Sequence, residues 1–513
     1  MLGKNNPQID VFSQMIYDKL VPKDHLLVKI NSIIDFSFVH EKVKAKYSSD
    51  FGRSSKDPAM MVKLILLEYL YNLSDVEVSK RAATDVVFRW FLGLGLDDKA
   101  PDDTTISHFR VKRLGKETFE EFFNEIVRLC IQRNLINTKR YIIDSTNVAV
   151  NASLPFGKKL IRDAYRKVVR EIEVFDEVLA KESLDAFEAD IAKAYETGDR
   201  VEASRHFEIA MEHLNQLYVT THEELESNSN YQEAYMVCYD IADHHLNKKS
   251  DKIVSVVDTD ARAAYKSPGN SKVGYKDHII IDEDSEIILA SSQTPFNVDD
   301  EKKLAALLEQ TKETFGLMPE EVTADKVYGT TENRAYLKDS GVIANIAFYE
   351  DPSKERKVFG LKDFAIAKDL KSITCPNNVT TDKCKISDQS EKTKGLLLFS
   401  FLRKDCDHCP LREQCLPTDK NGKQRLRFRR VSVPLRYDAL LFDLNRNKTP
   451  EFKEAYAKRF KVERRFGTMV GNHGLRRSRY VGLARTSIHI IMANMACNVV
   501  RMVNLLWEPA LGS

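Results

Sequence analysis

Three acidic residues, Asp144, Asp325 and Glu463, stand in sequence surroundings that suit shared chemistry. Asp144 interrupts the apolar run RYIIDSTNVAV, and Asp325 ends the strand-like EEVTAD. Glu463 lies in EAYAKRFKVERRFG among Lys458, Arg459, Lys461, Arg464 and Arg465. Read from their neighbours, the aspartates sit at strand ends and the glutamate mid-helix, so a folded sheet could gather all three. Carboxylates brought together repel, and their pKa values rise unless a cation neutralises them. An oxygen-only donor set suits a hard cation such as Mg²⁺ or Mn²⁺. Two such ions, roughly 3.5–4 Å apart, can activate an attacking oxygen and stabilise the leaving oxygen of an in-line phosphoryl displacement. The cations around Glu463 would then hold nucleic-acid phosphates, for which the arginine fork is well matched. A plainer reading competes. Arg459 and Glu463 are four residues apart, and a surface ion pair in that orientation is worth only about 0.3 kcal/mol.

The elements that must position these residues follow from pattern. Residues 1–137 read as helical and are expected to form a DNA-binding domain: Asp57-Pro58 starts one helix and Ser74-Asp75-Val76-Glu77 is a capping box. In DDTTISHFRVKRLG, Thr104 or Thr105 is expected to cap a helix carrying His108, Arg110, Lys112 and Arg113, suited to a DNA groove or to a solvated face. Residues 138–156 hold the first core strand. Over 157–250 the positions Ile161, Tyr165, Val168, Ile172, Phe175 and Leu179 keep one stripe, and Phe207, Met211, Leu214 and Tyr218 repeat it. A long helical hairpin with a turn near Thr197-Gly198-Asp199 is expected. Residues 251–349 turn α/β: KVGYKDHIII and EIILASSQ form a hairpin, then come a helix ending at Gly316, a strand reaching Asp325, a helix over 331–340 and the strand VIANIAF. That order implies a mixed sheet flanked by helices. A Cys-rich basic insertion at 350–435 precedes C-terminal helices over 436–513, with Thr449-Pro450-Glu451 starting the one that bears Glu463. Asp258 and Asp260 are rival carboxylates, for which a structural role is expected.

The chain's 513 residues, 43% hydrophobic, exceed one core, so two to four domains are expected. The formal net charge of +2 hides segregated charges. The N-terminal MLGKNNPQIDVFSQMIYDKL lacks an uninterrupted apolar stretch, so no secretory signal and a cytoplasmic location are expected. Ile488–Trp507 is apolar but contains His489, Asn494, Asn498, Arg501 and Asn504, which favours a core helix over a membrane span.

Eight cysteines without an export signal argue against a disulfide framework. Cys406-Asp407-His408-Cys409 with Cys415 and Cys375 nearby could hold a structural Zn²⁺, with reduced thiols as the alternative, and Cys384 adds a further sulfur. Beyond them Lys420, Lys423, Arg425, Arg427, Arg429 and Arg430 surround Phe428; alternating arginines on a strand would make a stripe for DNA phosphates, or else protect an edge. Arg476 and Arg477, with Arg479, form a second basic cluster.

The spacing Tyr456, Arg459, Glu463 matches the Y-x2-R-x3-E signature of insertion-sequence DDE transposases. DPAMMVKLILLEYLYNLSDVEVSKRAATDVVFRWFLGL, IDSTNVAVNAS, ADKVYGTTEN and the cysteine-rich stretch before VERRFG also resemble the group numbered eleven eighty-two, over nearly the whole chain. The resemblance implies an RNase H-like core in which Asp144, Asp325 and Glu463 are catalytic metal ligands. It implies that Tyr456 and Arg459 contact double-stranded DNA near the cleaved phosphate. The fuller signature has Lys seven residues past the Glu; Val470 stands there, so Arg464, Arg465 or another residue is expected to supply that contact. By similarity the enzyme binds the inverted repeats of its element, nicks with water and joins the 3′-hydroxyl to target DNA, as a homodimer on DNA in the bacterial nucleoid. A non-cutting DNA-binding descendant and a nuclease that does not join are the alternatives.

Overall fold

The computed structural model describes residues 9–48, 55–137, 139–196, 204–249, 251–267, 270–349, 358–387, 395–416 and 426–507. It divides into two compact units, the first made of Met1–Thr138, Ile143–Met318 and Phe460–Ser513, the second of Lys139–Ile142 and Pro319–Arg459.

The first unit opens with helices α1 (Val11–Leu20), α2 (Leu26–Ile33), α3 (Phe38–Val43), α4 (Pro58–Leu70), α5 (Asp75–Thr84), α6 (Val86–Leu92), α7 (Asp103–His108) and α8 (Lys116–Gln132). Asp57 caps α4 with Pro58 in its first turn, and Ser74 with Glu77 closes the capping box of α5, as expected. The cap of α7 is Asp102, not Thr104 or Thr105, and the helix passes into a π-helical turn, Phe109–Leu114. There Arg110 departs from the DNA-facing expectation. Its side chain is buried, 2.6 Å from Glu68 and 3.0 Å from Asp75, with Tyr480 beneath its guanidinium. A buried guanidinium needs an acidic partner, and Glu68, buried in the largely apolar α4, supplies one.

The described residues of 157–250 form four helices, not a two-helix hairpin: α9 (Lys158–Glu173), α10 (Glu177–Glu196), α11 (Arg205–Ser227) and α12 (Ser229–Leu246). The face Ile161, Tyr165, Val168 and Ile172 exists, and its core includes Phe187, Leu214, Tyr231 and Ile241. The stripe continues toward Leu179, but Asp176 accepts the Leu179 N–H at 2.9 Å and restarts the helix; Asn228 does the same for α12. The turn expected near Thr197 lies outside the described residues.

Strand β1 (Arg140–Ala149) opens in the second unit and enters the first at Ile143. Within the first unit it neighbours β3 (Asn270–Asp282), which pairs antiparallel with β2 (Arg262–Ser267) on its other side and with β4 (Ile288–Pro295) as the expected hairpin. Gly274, at φ 143°, marks the close approach: a Cβ there would lie 2.2 Å from the Val148 carbonyl oxygen. Helix α13 (Leu304–Phe315) follows and ends on left-handed Gly316.

In the second unit β5 (Glu321–Ala324) runs parallel to β6 (Ile343–Ile346), with α14 (Thr331–Asp339) as the connection. The buried Arg334 of α14 lies 2.7 Å from Asp443 and donates to the Gly329 and Ile346 carbonyls, tying the crossover to α17 below. The Cys-rich segment makes two small antiparallel sheets, β7 (Ala365–Ile366), β8 (Ile373–Thr374), β9 (Thr380–Thr381), and β10 (Cys384–Ser387), β11 (Leu396–Ser400), β12 (Arg430–Pro434). Short helices α15 (Arg403–Asp407) and α16 (Arg412–Cys415) lie between β11 and β12. Helices α17 (Tyr437–Arg446) and α18 (Pro450–Ala457) complete the unit; α17 packs on α14 and β6, and α18 on β5 and β6.

The chain returns to the first unit with α19 (Phe460–Asn472) and α20 (Leu483–Trp507). Helix α20 is long and apolar enough, by length and composition, to cross a membrane. Its polar residues have specific partners in this unit, as a core helix requires. Asn494 donates to Asp277 at 3.0 Å, Asn498 pairs with both backbone groups of Ile288 at 2.8 Å, and Asp258 and Asp260 receive the Gly482 and Leu483 N–H groups at its start. Asp258 is fully buried and also accepts from Tyr275, the structural role expected of it.

Candidate active site

Asp144 is the fifth residue of the ten in β1, not at a strand end. Tyr141, Ile142 and Ile143 before it are buried, while Asp144 itself is half-buried, with Oδ1 accepting the Ser145 N–H at 2.8 Å. At the far end of β1 the Ala149 N–H donates to the Arg476 carbonyl at 3.1 Å, and Arg477 Nε donates to the Val150 carbonyl at 3.2 Å. The exposed Arg476 and Arg477 therefore flank the strand that carries Asp144.

Asp325 directly follows β5, half-buried at the carboxyl end of a parallel strand, and accepts the Lys326 N–H at 2.6 Å to start a short 3₁₀ turn. Open α/β sheets commonly take ligands at such strand ends. Helix α18, which packs on β5 and β6, carries Tyr456, its ring stacked on Phe452 at 5.4 Å.

The expected single helix through Glu463 is two. Helix α18 closes at Ala457, the Lys458 and Arg459 N–H groups turn back to Ala455 and Tyr456, and α19 begins at Phe460. Glu463 thus lies exposed in a first helical turn, where the helix dipole favours a negative charge. The apolar phase Phe452, Ala455, Val462, Phe466, Met469 runs through the break, so pattern alone conceals it. What separates the helices is packing: α18 rests on β5 and β6, and α19 on α20.

The basic residues around Glu463 divide by partner. Arg465, buried, lies 3.0 Å from the buried carboxylate of Glu286, which also receives Arg464 and has Arg501 at 3.9 Å. Lys461 donates to the Glu283 carbonyl at 2.8 Å and Arg501 to that of Ser285 at 2.6 Å. The turn between β3 and β4 thus grips α19 through its acidic and carbonyl groups; its own Asp282 accepts Ser285 twice at 2.7 Å, and burial raises the Asp282 carboxyl to about 6. Lys458, in the second unit, pairs with Glu454 at 3.1 Å. Sequence reasoning did not single out Glu286, although the acidic run Asp282 to Glu286 complements the basic run Lys461 to Arg465 in charge.

The stripe expected from 425–430 does not form as a strand. Strand β12 starts only at Arg430, Arg427 and Arg429 precede it in irregular backbone, and Arg425 lies outside the described residues with Lys420 and Lys423. Arg429 is turned inward, donating to the carbonyls of Cys415 at 2.9 Å and Phe359 at 2.7 Å, while Arg427 is exposed.

Among the described residues no group of three or more His, Cys, Asp or Glu side chains stands ready to hold a metal ion. Asp144 and Glu463 belong to the first unit and Asp325 to the second. As a donor set, these solvent-accessible carboxylates fit a hard divalent cation and not a soft one.

The chain matches the family described as Transposase domain (DUF772) over residues 15–112 and the one described as Transposase DDE domain over 374–503. No curated protein matches it. The chain is mixed α/β, opens in a helical region and carries both transposase domains. The two matches support a DDE transposase of insertion sequences, a class of enzymes that act on DNA and generally use divalent metal ions.

Proposed function

We propose that this chain cuts the ends of its own insertion sequence and joins them to new DNA, and that it is a member of the group numbered eleven eighty-two with an RNase H-like core. The observation that carries the reading is the DDE-domain match, whose span includes Tyr456, Arg459 and Glu463 at the signature spacing. The parallel β5–β6 unit ending in Asp325 agrees with it.

Asp144, Asp325 and Glu463 would hold two divalent cations, Mg²⁺ or Mn²⁺. When bound, these supply the charge stabilisation that in-line phosphoryl transfer needs. Tyr456 and Arg459 hold the scissile phosphate, and Arg476, Arg477 and Arg427 track the DNA backbone. Arg465, and with it Arg464, serves differently from the phosphate contact expected of it: bound to Glu286, it fixes the helix on which Glu463 stands. Water first breaks the phosphodiester at the element end, leaving a 3′-hydroxyl. That hydroxyl attacks a target phosphodiester, forming the new bond as the target's own 3′-oxygen departs. The protein works as a homodimer on two element ends, in the cytoplasm against the nucleoid.

The test incubates purified protein with a labelled element end, target DNA and Mg²⁺. Cutting with joining is expected; cutting alone would make it a nuclease, and binding alone a non-catalytic relative. Glu463→Gln should abolish both steps and keep DNA binding, and cleavage surviving in that variant refutes the assignment.

A further inference from the structure

Four of the eight cysteines, Cys375, Cys406, Cys409 and Cys415, line one small cavity of about 30 Å³ in the second unit. They come from three separate pieces of chain. Cys375 opens the turn between β8 and β9, where its N–H donates to Val379 at 2.9 Å and its carbonyl receives Asn378, a residue at φ 55°, at 2.8 Å. Cys406 lies in α15 and Cys409 just past it, with the Cys409 N–H turned back to the Cys406 carbonyl at 3.4 Å. Cys415 ends α16. Cys384, by contrast, faces Phe399 across the β10–β11 ladder and is not among the cavity's lining residues.

We infer that this cavity is a structural zinc site in which Cys375, Cys406, Cys409 and Cys415 are the four tetrahedral ligands. A Cys-x-x-Cys turn plus two further sulfurs from adjacent turns is the donor set of closed structural zinc sites. The four thiols line the space without standing at ligand spacing, so binding must draw them together. The surroundings suit the charge. Zn²⁺ with four thiolates carries a net negative charge, and Arg412 and Arg429 line the same cavity against a single carboxylate, Asp405. Both arginines also fix the ligand backbone, Arg412 donating to the Cys406 carbonyl at 2.7 Å and Arg429 to that of Cys415 at 2.9 Å. Arg429 Nε is buried with no hydrogen-bond acceptor among the described residues, a donor that a thiolate would satisfy.

The segment has reason to need a metal. Its described core is small, built on Phe364, Ile373, Phe399, Phe401 and Val433 between two three-stranded sheets. Small cores of this kind are commonly stapled by a metal or by disulfides.

The full-length protein, purified under reducing conditions and dialysed against Mg²⁺ to clear carboxylate sites, should hold one zinc per chain. X-ray absorption should give four sulfur neighbours at about 2.3 Å. Co²⁺ added to the stripped protein should produce thiolate charge-transfer bands and intense tetrahedral d–d bands. Cys384→Ser should keep the zinc, and Cys409→Ser should lose it. If Cys409→Ser does not fold, the wild-type absorption and cobalt spectra carry the test alone. No zinc, a nitrogen- or oxygen-dominated shell, two disulfides among the four cysteines by mass spectrometry, or zinc lost on Cys384→Ser each overturns the assignment.

Discussion

Replacing Glu286 with Gln separates anchoring from DNA contact among the cations near Glu463. The Glu286 side chain is 2% exposed and that of Arg465 11%, at 3.0 Å. With an effective dielectric near 20, that separation corresponds to roughly 5 kcal/mol of attraction, much of it offset by desolvation of both groups. Leaving Arg465 buried without its counter-charge costs about 3–5 kcal/mol. Arg464, 52% exposed, adds no more than about 1 kcal/mol after solvent screening. Glutamine keeps the shape and one acceptor, so a loss of about 3 kcal/mol is expected for Glu286→Gln, against under about 1 kcal/mol for Arg464→Met. Urea unfolding measures both, and hydrogen exchange across residues 460–472 assigns the loss to α19. Because Glu463 is two residues from Arg465, the Gln variant should also need more Mg²⁺ for cleavage. A cost below about 1 kcal/mol, or equal costs for the two variants, would refute the anchor.

Three further outcomes follow from other parts of the molecule. Gly274→Ala forces a Cβ against the Val148 carbonyl at a positive φ and should cost on the order of 3 kcal/mol in urea unfolding, with neutrality as the contrary result. His489 is fully buried, and burial, helped by Arg479, lowers it to about 3. Its folded pKa lies below the unfolded value near 6.5, so the unfolded chain binds the extra proton and this contribution to stability is lost as pH falls from about 6.5 toward 3. Between pH 7 and 5 wild type should therefore lose about 2 kcal/mol more than His489→Asn, read from urea titrations at both pH values. Arg476→Ala with Arg477→Ala should lower the slope of log affinity for duplex DNA against log salt by about one to two, while loss of the Arg477 bond to the Val150 carbonyl costs no more than about 1 kcal/mol of stability; an unaltered slope removes them from the DNA path.

Local chemistry was legible wherever a few neighbouring residues decide the outcome. Asp57-Pro58, the Ser74 capping box, the β3–β4 hairpin, left-handed Gly316, and the order of β5, α14 and β6 were all readable from short stretches. What escaped depends on partners far along the chain. Arg110 looks like a surface cation until Glu68 and Asp75 meet it, and Arg465 until Glu286 does. The break between α18 and α19 leaves the apolar phase intact, because it arises from packing on different partners. The Asp144 neighbourhood read as a strand, but nothing local tells that the strand continues five residues beyond it to Ala149. Similarly, alternating arginines before Arg430 carry the period of a strand, yet Arg429 is drawn inward by the Cys415 and Phe359 carbonyls.

The central claim is that Asp144, Asp325 and Glu463, from separate parts of the chain, share divalent ions on DNA. Ferrous iron in place of Mg²⁺, with ascorbate and peroxide, cuts a polypeptide beside the residues that hold it. With an element end bound, backbone cuts are expected near all three residues, each suppressed by excess Mg²⁺. Cuts beside only one or two of them, or cuts that Mg²⁺ does not suppress, would contradict the account.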